Sequence, residues 1–346
     1  MDPGALHRDA LVVDTHVHGP HFVPQPWRAA YRLINQRTMP ADASFDVLAA
    51  AGVDAVVGKA VGDPVVTRWY RGGPWRAVCS QLDQLRTAIG AVGGAVATDA
   101  AGVRAAHGAG RPALILGLEG ADCVGDDIGR VDQLHELGVR VVVPVHLGDN
   151  QLGSTCLPWQ RYVGPLPVRP RRAPGLTEFG RAAVGRMFEL GIVVDVSHCD
   201  SETLRDIVGV AAGASAGRPV IASHSGARAC QDFPRFVTDE EARLIAGTGG
   251  VIGLWPYRFR QTGIADMPAL IAHARHLADV VGPEHLCLGT DMNGVPGTMA
   301  GYRGETDLPL VTAALLAGGF SENEVRGILG LNFMTVLSRS TTAMPW

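Results

Sequence analysis

Apolar residues recur along this chain with two different periods. Short, near-continuous runs rich in Val, Ile and Leu occupy residues 11–18, 55–61, 113–119, 139–146, 191–198, 219–224, 250–255 and 285–291. Such runs predict strands covered on both faces. Longer stretches with helical spacing lie between them. Residues 176–190 place Phe179, Ala183, Met187 and Leu190 on one face, and 201–210, 239–246 and 267–281 read the same way. Two further helices, 308–317 and 322–337, follow the last strand. Eight strands, each followed by a helix, predict parallel βα units closing into a (β/α)8 TIM barrel, a single domain over residues 1–346. A doubly wound open sheet is the competing α/β architecture, but no GxGxxG opens the first helix, so its dinucleotide-binding form has no support. The irregular stretches 20–40, 148–174 and 256–266 follow the first, fourth and seventh strands and are long for connections, which predicts lids or pocket walls.

Charge and composition narrow the partners. With 30 basic and 34 acidic residues the net charge is −4, so no excess of positive charge exists to meet phosphates and no nucleic-acid partner is expected. No apolar run reaches the ~18 residues of a membrane span, and the opening MDPGALHRDA does not read as a secretory leader. The expectation is a cytoplasmic protein with no membrane partner. Cysteines 79, 123, 156, 199, 230 and 287 form no CxxC pair and read as reduced thiols. Lys59 is the only lysine, which nearly eliminates a Schiff base or a carbamylated-lysine metal bridge and reads as coding bias.

The ionisable residues gather at the carboxyl ends of the predicted strands. The first ends in His16-Val17-His18, the third in Glu119, the fourth in His146, the fifth in His198, the sixth in His224 and the eighth in Asp291. In a parallel barrel these ends converge on one mouth. Residues i and i+2 of a strand face the same way, so His16 and His18 can hold one cation together. Four imidazoles and two carboxylates suffice for a pair of divalent ions, and nitrogen-rich ligation suits zinc. Glu119 has two oxygens and, with lysine so scarce, is the better candidate to bridge two Zn2+ ions. Asp291 can hold a metal and take a proton from water. His21 falls off the alternation of the pair and reads as a loop or supporting residue. The remaining histidines (7, 107, 135, 273, 276 and 285) read as structural or exposed, and Cys199 as a packed thiol.

The stretches LVVDTHVHGP, LILGLEGAD, VRVVVPVHLGDN, GLTEFGRAAVGRMFELGIVVDVSHCDSETL, RPVIASHSGARA, GTGGVIGL, HLCLGTDMNGV and FSENEVRGILGLNFMTVL, running from residue 11 to about 338, resemble the membrane (renal-type) dipeptidases. These are the M19 metallopeptidases of the amidohydrolase superfamily. The resemblance implies a metal-dependent hydrolase barrel that cleaves the amide bond of a small dipeptide-like substrate with a free carboxylate, by a hydroxide bridging two zinc ions. It implies that His16, His18 and Asp291 hold one ion, His198 and His224 the other, and Glu119 both. His146 would contact substrate and help polarise the scissile carbonyl, Asp291 would act as proton carrier, and Arg228 would pair with the substrate carboxylate. A homodimer is compatible with it. Position 18 departs from the family's His-x-Asp pattern, which leaves the site about one unit of charge more positive. The eighth-strand segment reads Asp291-Met292-Asn293-Gly294 where the family has Asp-Phe-Asp-Gly. These departures keep two other readings open: hydrolysis of a different or cyclic amide, and a metal-binding barrel without hydrolase activity.

Overall fold

The computed structural model describes residues 2–20, 22, 29, 43–163, 173–214 and 217–341. Its centre is a closed (β/α)8 barrel of parallel strands: β1 (Val13–His18), β2 (Ala55–Val61), β3 (Ala113–Glu119), β4 (Val139–Val143), β5 (Val193–Asp195), β6 (Val220–Ser225), β7 (Ile252–Leu254) and β8 (Leu286–Leu288). The strands follow the order β2-β1-β8-β7-β6-β5-β4-β3, and seven β2–β3 residue pairs, from Ala55↔Ala113 to Val61↔Glu119, close the ring. A two-residue strand, Ala95–Val96, extends the sheet at the start of β3.

Alternation along the strands divides the buried side chains into two sets. Val13, Val57, Ile115, Val141, Val193, Ile221 and Cys287 form one cluster with Phe333, Met334 and Leu337. Val12, Val56, Leu114, Leu116, Val142, Val194 and Ala222 belong to a larger one, shared with the apolar faces of the surrounding helices. The helix Glu178–Glu189, for example, buries Ala183, Val184, Met187 and Phe188, and Thr177 caps it by accepting from Gly180 N. Asp63, Asp99, Asp200 and Asp266 cap four other helices in the same way.

Three differences from the sequence reading matter. The strands β4, β5 and β8 stop at Val143, Asp195 and Leu288, three residues before His146, His198 and Asp291, so those side chains stand on the turns just beyond the ring. The helix over 322–337 is broken into Glu322–Arg326, a π-turn at Gly327–Leu331 and Asn332–Thr341. The break brings Gly330 against the start of β1, where a Cβ would lie 2.3 Å from Leu11 O. The stretch 256–266 contains a small hairpin, Arg258–Phe259 with Thr262–Gly263. Most of the stretch 20–40, including His21, and residues 164–172 of the stretch 148–174 lie outside the described residues.

Candidate functional site

Glu119, the last residue of β3, is the hub of a buried cluster at the barrel mouth. Its Oε2 lies 3.2 Å from His18 Nε2 and 3.4 Å from His146 Nε2. Its Oε1 lies 3.1 Å from His198 Nε2, 3.4 Å from His16 Nε2 and 3.8 Å from His224 Nε2. Asp291 Oδ1 lies 3.4 Å from His18 Nε2 and 3.8 Å from His16 Nε2. The Nε2 atoms pair as well, His16 with His18 at 3.4 Å and His198 with His224 at 3.2 Å. Two lone pairs facing each other at such distances gain nothing. The spacing instead matches the edges of a tetrahedron, since ligands about 2.0–2.1 Å from an ion stand roughly 3.3 Å apart. Glu119 Oε1 is buried and accepts no hydrogen bond among the described residues. Glu119 is also common to two three-residue sets, with His16 and His18 and with His146 and His198, whose ligand atoms all lie within 4.8 Å of one another. The donor set therefore fits a divalent metal.

Proton affinities say the same. Burial pushes Glu119 up, yet His146, His16 and His18 overcome it and hold the carboxyl well below the usual range. Burial opposes charge on His18, but Asp291 and Glu119 push it up to about 9. Without an ion, these two carboxylates recruit a proton onto the neighbouring imidazole. Burial holds His198 and His224 well below their ordinary value, helped by Arg235 and by neighbouring histidines. Burial and then the Lys59 charge lower His16. Neutral imidazoles are what a metal ligand requires.

The surroundings fix these side chains. His18 Nδ1 meets Lys59 O at 3.0 Å, which leaves Nε2 to face the cluster, and its ring stacks on Phe22 at 4.3 Å. His146 Nδ1 meets Asp63 Oδ2 at 2.5 Å. Burial lowers His146, but Glu119 and Asp63 raise it above its ordinary value overall. Asp291 has φ 57°, the left-handed region rare for a residue with a side chain, as does Asn293 at φ 67°. Asn293 Nδ2 donates to His18 O at 2.9 Å and Ala43 O at 3.0 Å, tying this turn to β1. Gly294 completes it, because a Cβ there would lie 2.0 Å from Asp291 Oδ1 and 2.6 Å from His18 Cδ2.

All six metal-competent residues read from the sequence thus meet in one cluster, with His146 beside them. Arg228 is not brought to it. Its side chain is 38% exposed and its Nε donates to Asp232 at 2.8 Å. The arginine that reaches the cluster is Arg235, 2% exposed, whose Nη2 lies 2.8 Å from His198 Nε2 and 2.7 Å from His224 Nε2. Both arginines line a cavity of about 260 Å³ beside the site, with Ser197, Cys199, Asp200 and Glu241. The sequence reading also passed over Asp63 and took Lys59 for coding bias. Lys59 is 1% exposed and ion-paired with Asp195 inside the barrel. Cys199 is buried, as expected.

Fold and cluster together define a class, the (β/α)8 barrels that gather histidines and carboxylates at the carboxyl ends of their strands. Within it, the family described as membrane dipeptidase (peptidase family M19) matches residues 4–344, and the chain belongs to that family. The chain is 29% identical over 231 residues to the dipeptidase verJ of Clonostachys rogersoniana, covering 66% of this chain and 55% of that protein. It is 29% identical over 236 residues to the uncharacterized dipeptidase C965.12 of Schizosaccharomyces pombe, covering 67% and 54%. The aligned part spans about half the length of these relatives. Among solved structures, an amidohydrolase from Pseudomonas aeruginosa superposes with TM-score 0.78 at 22% identity over 99% of this chain and 100% of that one. A metallo peptidase from Rhodobacter sphaeroides, liganded with a phosphinate mimic of the dipeptide L-Ala-D-Ala, superposes with TM-score 0.77 at 22% identity over 96% and 99%. At that identity the two structures speak to the fold.

Proposed function

We propose that this protein is a zinc-dependent dipeptidase. The observation that carries the reading is the convergence of His16, His18, Glu119, His198, His224 and Asp291, from five βα units, on contacts of 3.1–3.8 Å about the Glu119 carboxylate. His16, His18 and Asp291 would hold one ion, His198 and His224 the other, and Glu119 both. When bound, the ions would supply Lewis acidity and lower the pKa of water.

The chain's own groups do the rest. Arg235, rather than Arg228, is positioned to hold the substrate's free carboxylate, because its buried guanidinium borders both the cluster and the cavity. In this structure its Nη2 donates to the Nε2 atoms of His198 and His224; an ion taken up by those two nitrogens would displace the guanidinium and leave it beside the site for the substrate carboxylate. His146, with Nδ1 held by Asp63, would direct an Nε2–H at the scissile carbonyl oxygen, where negative charge develops. Asp291, 8% exposed at the edge of the cluster, would take a proton from water and return it to the leaving amine. The substrate class is a dipeptide or dipeptide-like amide with a free carboxylate.

His18 in place of an aspartate favours one further reading, the same chemistry on a different amide. No helix among the described residues is long and apolar enough to cross a membrane. A cytoplasmic setting is proposed from the sequence, whose six cysteines include no CxxC pair. The test is metal content by mass spectrometry together with turnover of L,L and L,D dipeptides. About two zinc ions per chain and turnover of plain dipeptides are expected, with both lost in Glu119→Gln. A metal-loaded protein silent on every dipeptide would move the reading to another amide. Unchanged metal and activity in Glu119→Gln would end the bridging role.

A further inference from the structure

Below the mouth, the barrel interior holds a polar chain that the proposed reaction does not use. Ser223, on β6, is fully buried. Its Oγ lies 2.9 Å from His16 Nδ1 and 3.0 Å from His224 Nδ1. It also lies 3.2 Å from Ser197 Oγ and 3.2 Å from Lys59 Nζ. Ser197 Oγ donates to Asp195 Oδ1 at 2.6 Å, and Asp195 is ion-paired with Lys59. Asp195 Oδ1 further accepts Ser197 N at 3.1 Å and Ser223 N at 3.0 Å. One hydroxyl therefore touches an imidazole from each half of the donor cluster.

We propose that Ser223 is a positioning residue shared by both halves of the metal site, its hydroxyl accepting Nδ1–H from His16 and from His224 at once. The inference rests on the metal reading above. Counting protons gives its direction. Arg235 Nη2–H points at His224 Nε2, so that nitrogen presents its lone pair and the ring proton sits on Nδ1, facing Ser223. His16 turns Nε2 toward Glu119 and Asp291, and a ring that offers this nitrogen to a cation carries its proton on Nδ1 as well. A hydroxyl has two lone pairs and one hydrogen. Three donors face those lone pairs: the imidazoles at 2.9 and 3.0 Å are the nearer two and take them, while Lys59 Nζ, at 3.2 Å, is held chiefly by Asp195; the hydroxyl hydrogen passes to Ser197, whose own hydrogen goes to Asp195. The Lys59 ammonium anchors Asp195 in place, so the chain runs from both imidazoles through Ser223 and Ser197 to a buried carboxylate paired with the only lysine of the protein. His18 is served separately, by Lys59 O.

The shared acceptor has a consequence that separate supports would not have: removing it loosens one ligand of each ion together. Partners that orient metal-binding histidines typically contribute 10–100-fold to metal affinity. The experiment titrates metal-free protein with Co2+, followed by visible absorption, and with Zn2+ by calorimetry. Wild type is compared with Ser223→Ala and with Ser223→Cys, whose thiol keeps the volume but accepts weakly. Both binding steps are expected to weaken at least tenfold in each variant, with an altered Co2+ spectrum and retained circular dichroism. If Ser223→Ala does not fold, Ser223→Cys carries the test. Two ions bound within threefold of wild type would overturn the proposal, and so would a loss confined to one step. Wild-type protein that binds no ion would instead overturn the metal reading, and this inference with it.

Discussion

Replacing Arg235 by Met separates the two arginines near the cluster. Met keeps most of the stem and removes the fork. Arg235 is 2% exposed and its guanidinium carbon lies 5.1 Å from the centre of the Trp255 ring, so little solvent screens it. Each hydrogen bond from a charged donor contributes roughly 1.5–3 kcal/mol. Two of them from one guanidinium to a substrate carboxylate come to about 3–6 kcal/mol, or at least 100-fold in kcat/KM, at about 1.4 kcal/mol per factor of ten. Arg228 is 38% exposed and already paired with Asp232, a surface arrangement worth about 0–1 kcal/mol. Arg228→Met should therefore change kcat/KM by less than about fivefold. The assay measures kcat/KM on a dipeptide and on its C-terminal amide. Wild type and Arg228→Met should prefer the free acid strongly, and Arg235→Met should lose that preference along with its rate. A preference kept in Arg235→Met, or lost in Arg228→Met, would refute the assignment.

Three further outcomes follow from the same geometry. Asp63→Asn keeps a cap oxygen for the helix Pro64–Thr67 but presents an amide N–H to His146 Nδ1, so the ring can no longer carry a proton on both nitrogens and Nε2–H becomes a neutral donor in place of a charged one; kcat should fall about tenfold with KM nearly constant, and an unchanged kcat in steady-state kinetics would sink the role of His146. Because Asp291 and Glu119 push His18 up to about 9, an ion entering beside it at pH 7.5 displaces a proton; calorimetry in buffers of different ionisation enthalpy should show about one proton released, with affinity rising as pH rises toward 9, and binding without release would contradict it. Glu305 is raised from 4.5 to about 7 by burial and then by Asp14, so its contribution to stability is present below 4.5 and lost as pH rises through 7. That span is worth up to about 3 kcal/mol. Glu305→Gln, neutral throughout, should give a flatter profile and exceed wild type at pH 8 in urea unfolding; parallel profiles for the two proteins would refute this.

The barrel and its donors were legible because each rests on a local signal. A run such as Ala113–Glu119, apolar at almost every position, has no stable place except between two covering layers, and a carboxylate at its end must meet positive charge. His16 and His18 needed only the two-residue strand period. The exact strand ends were not legible, because His146, His198 and Asp291 extend apolar runs that the ring's hydrogen bonding abandons three residues earlier. Whether the long stretch after β1 covers the mouth lies outside the described residues.

Arg235 and Lys59 were missed for one physical reason. Lys59 pairs with Asp195 on another βα unit, and Arg235 reaches His198 of the preceding unit and His224 of its own only through a fold-back, so neither spacing nor period along its segment announces either. After β6 the chain doubles back: Val237 N donates to Gly226 O at 3.0 Å, Arg228 N to Val237 O at 2.8 Å, and Ser225 Oγ to Arg235 O at 3.0 Å. That fold-back returns Arg235 to the strand end and turns Arg228 outward, although Arg228 is the nearer to His224 in sequence. The one available signal was a charge inside an apolar run, FPRFV for Arg235 and AVVGKAV for Lys59. Long cations are almost never fully buried unless paired. A charge in such a run therefore points to a partner elsewhere in the fold, and here Lys59 has it in Asp195 and Arg235 in His198 and His224.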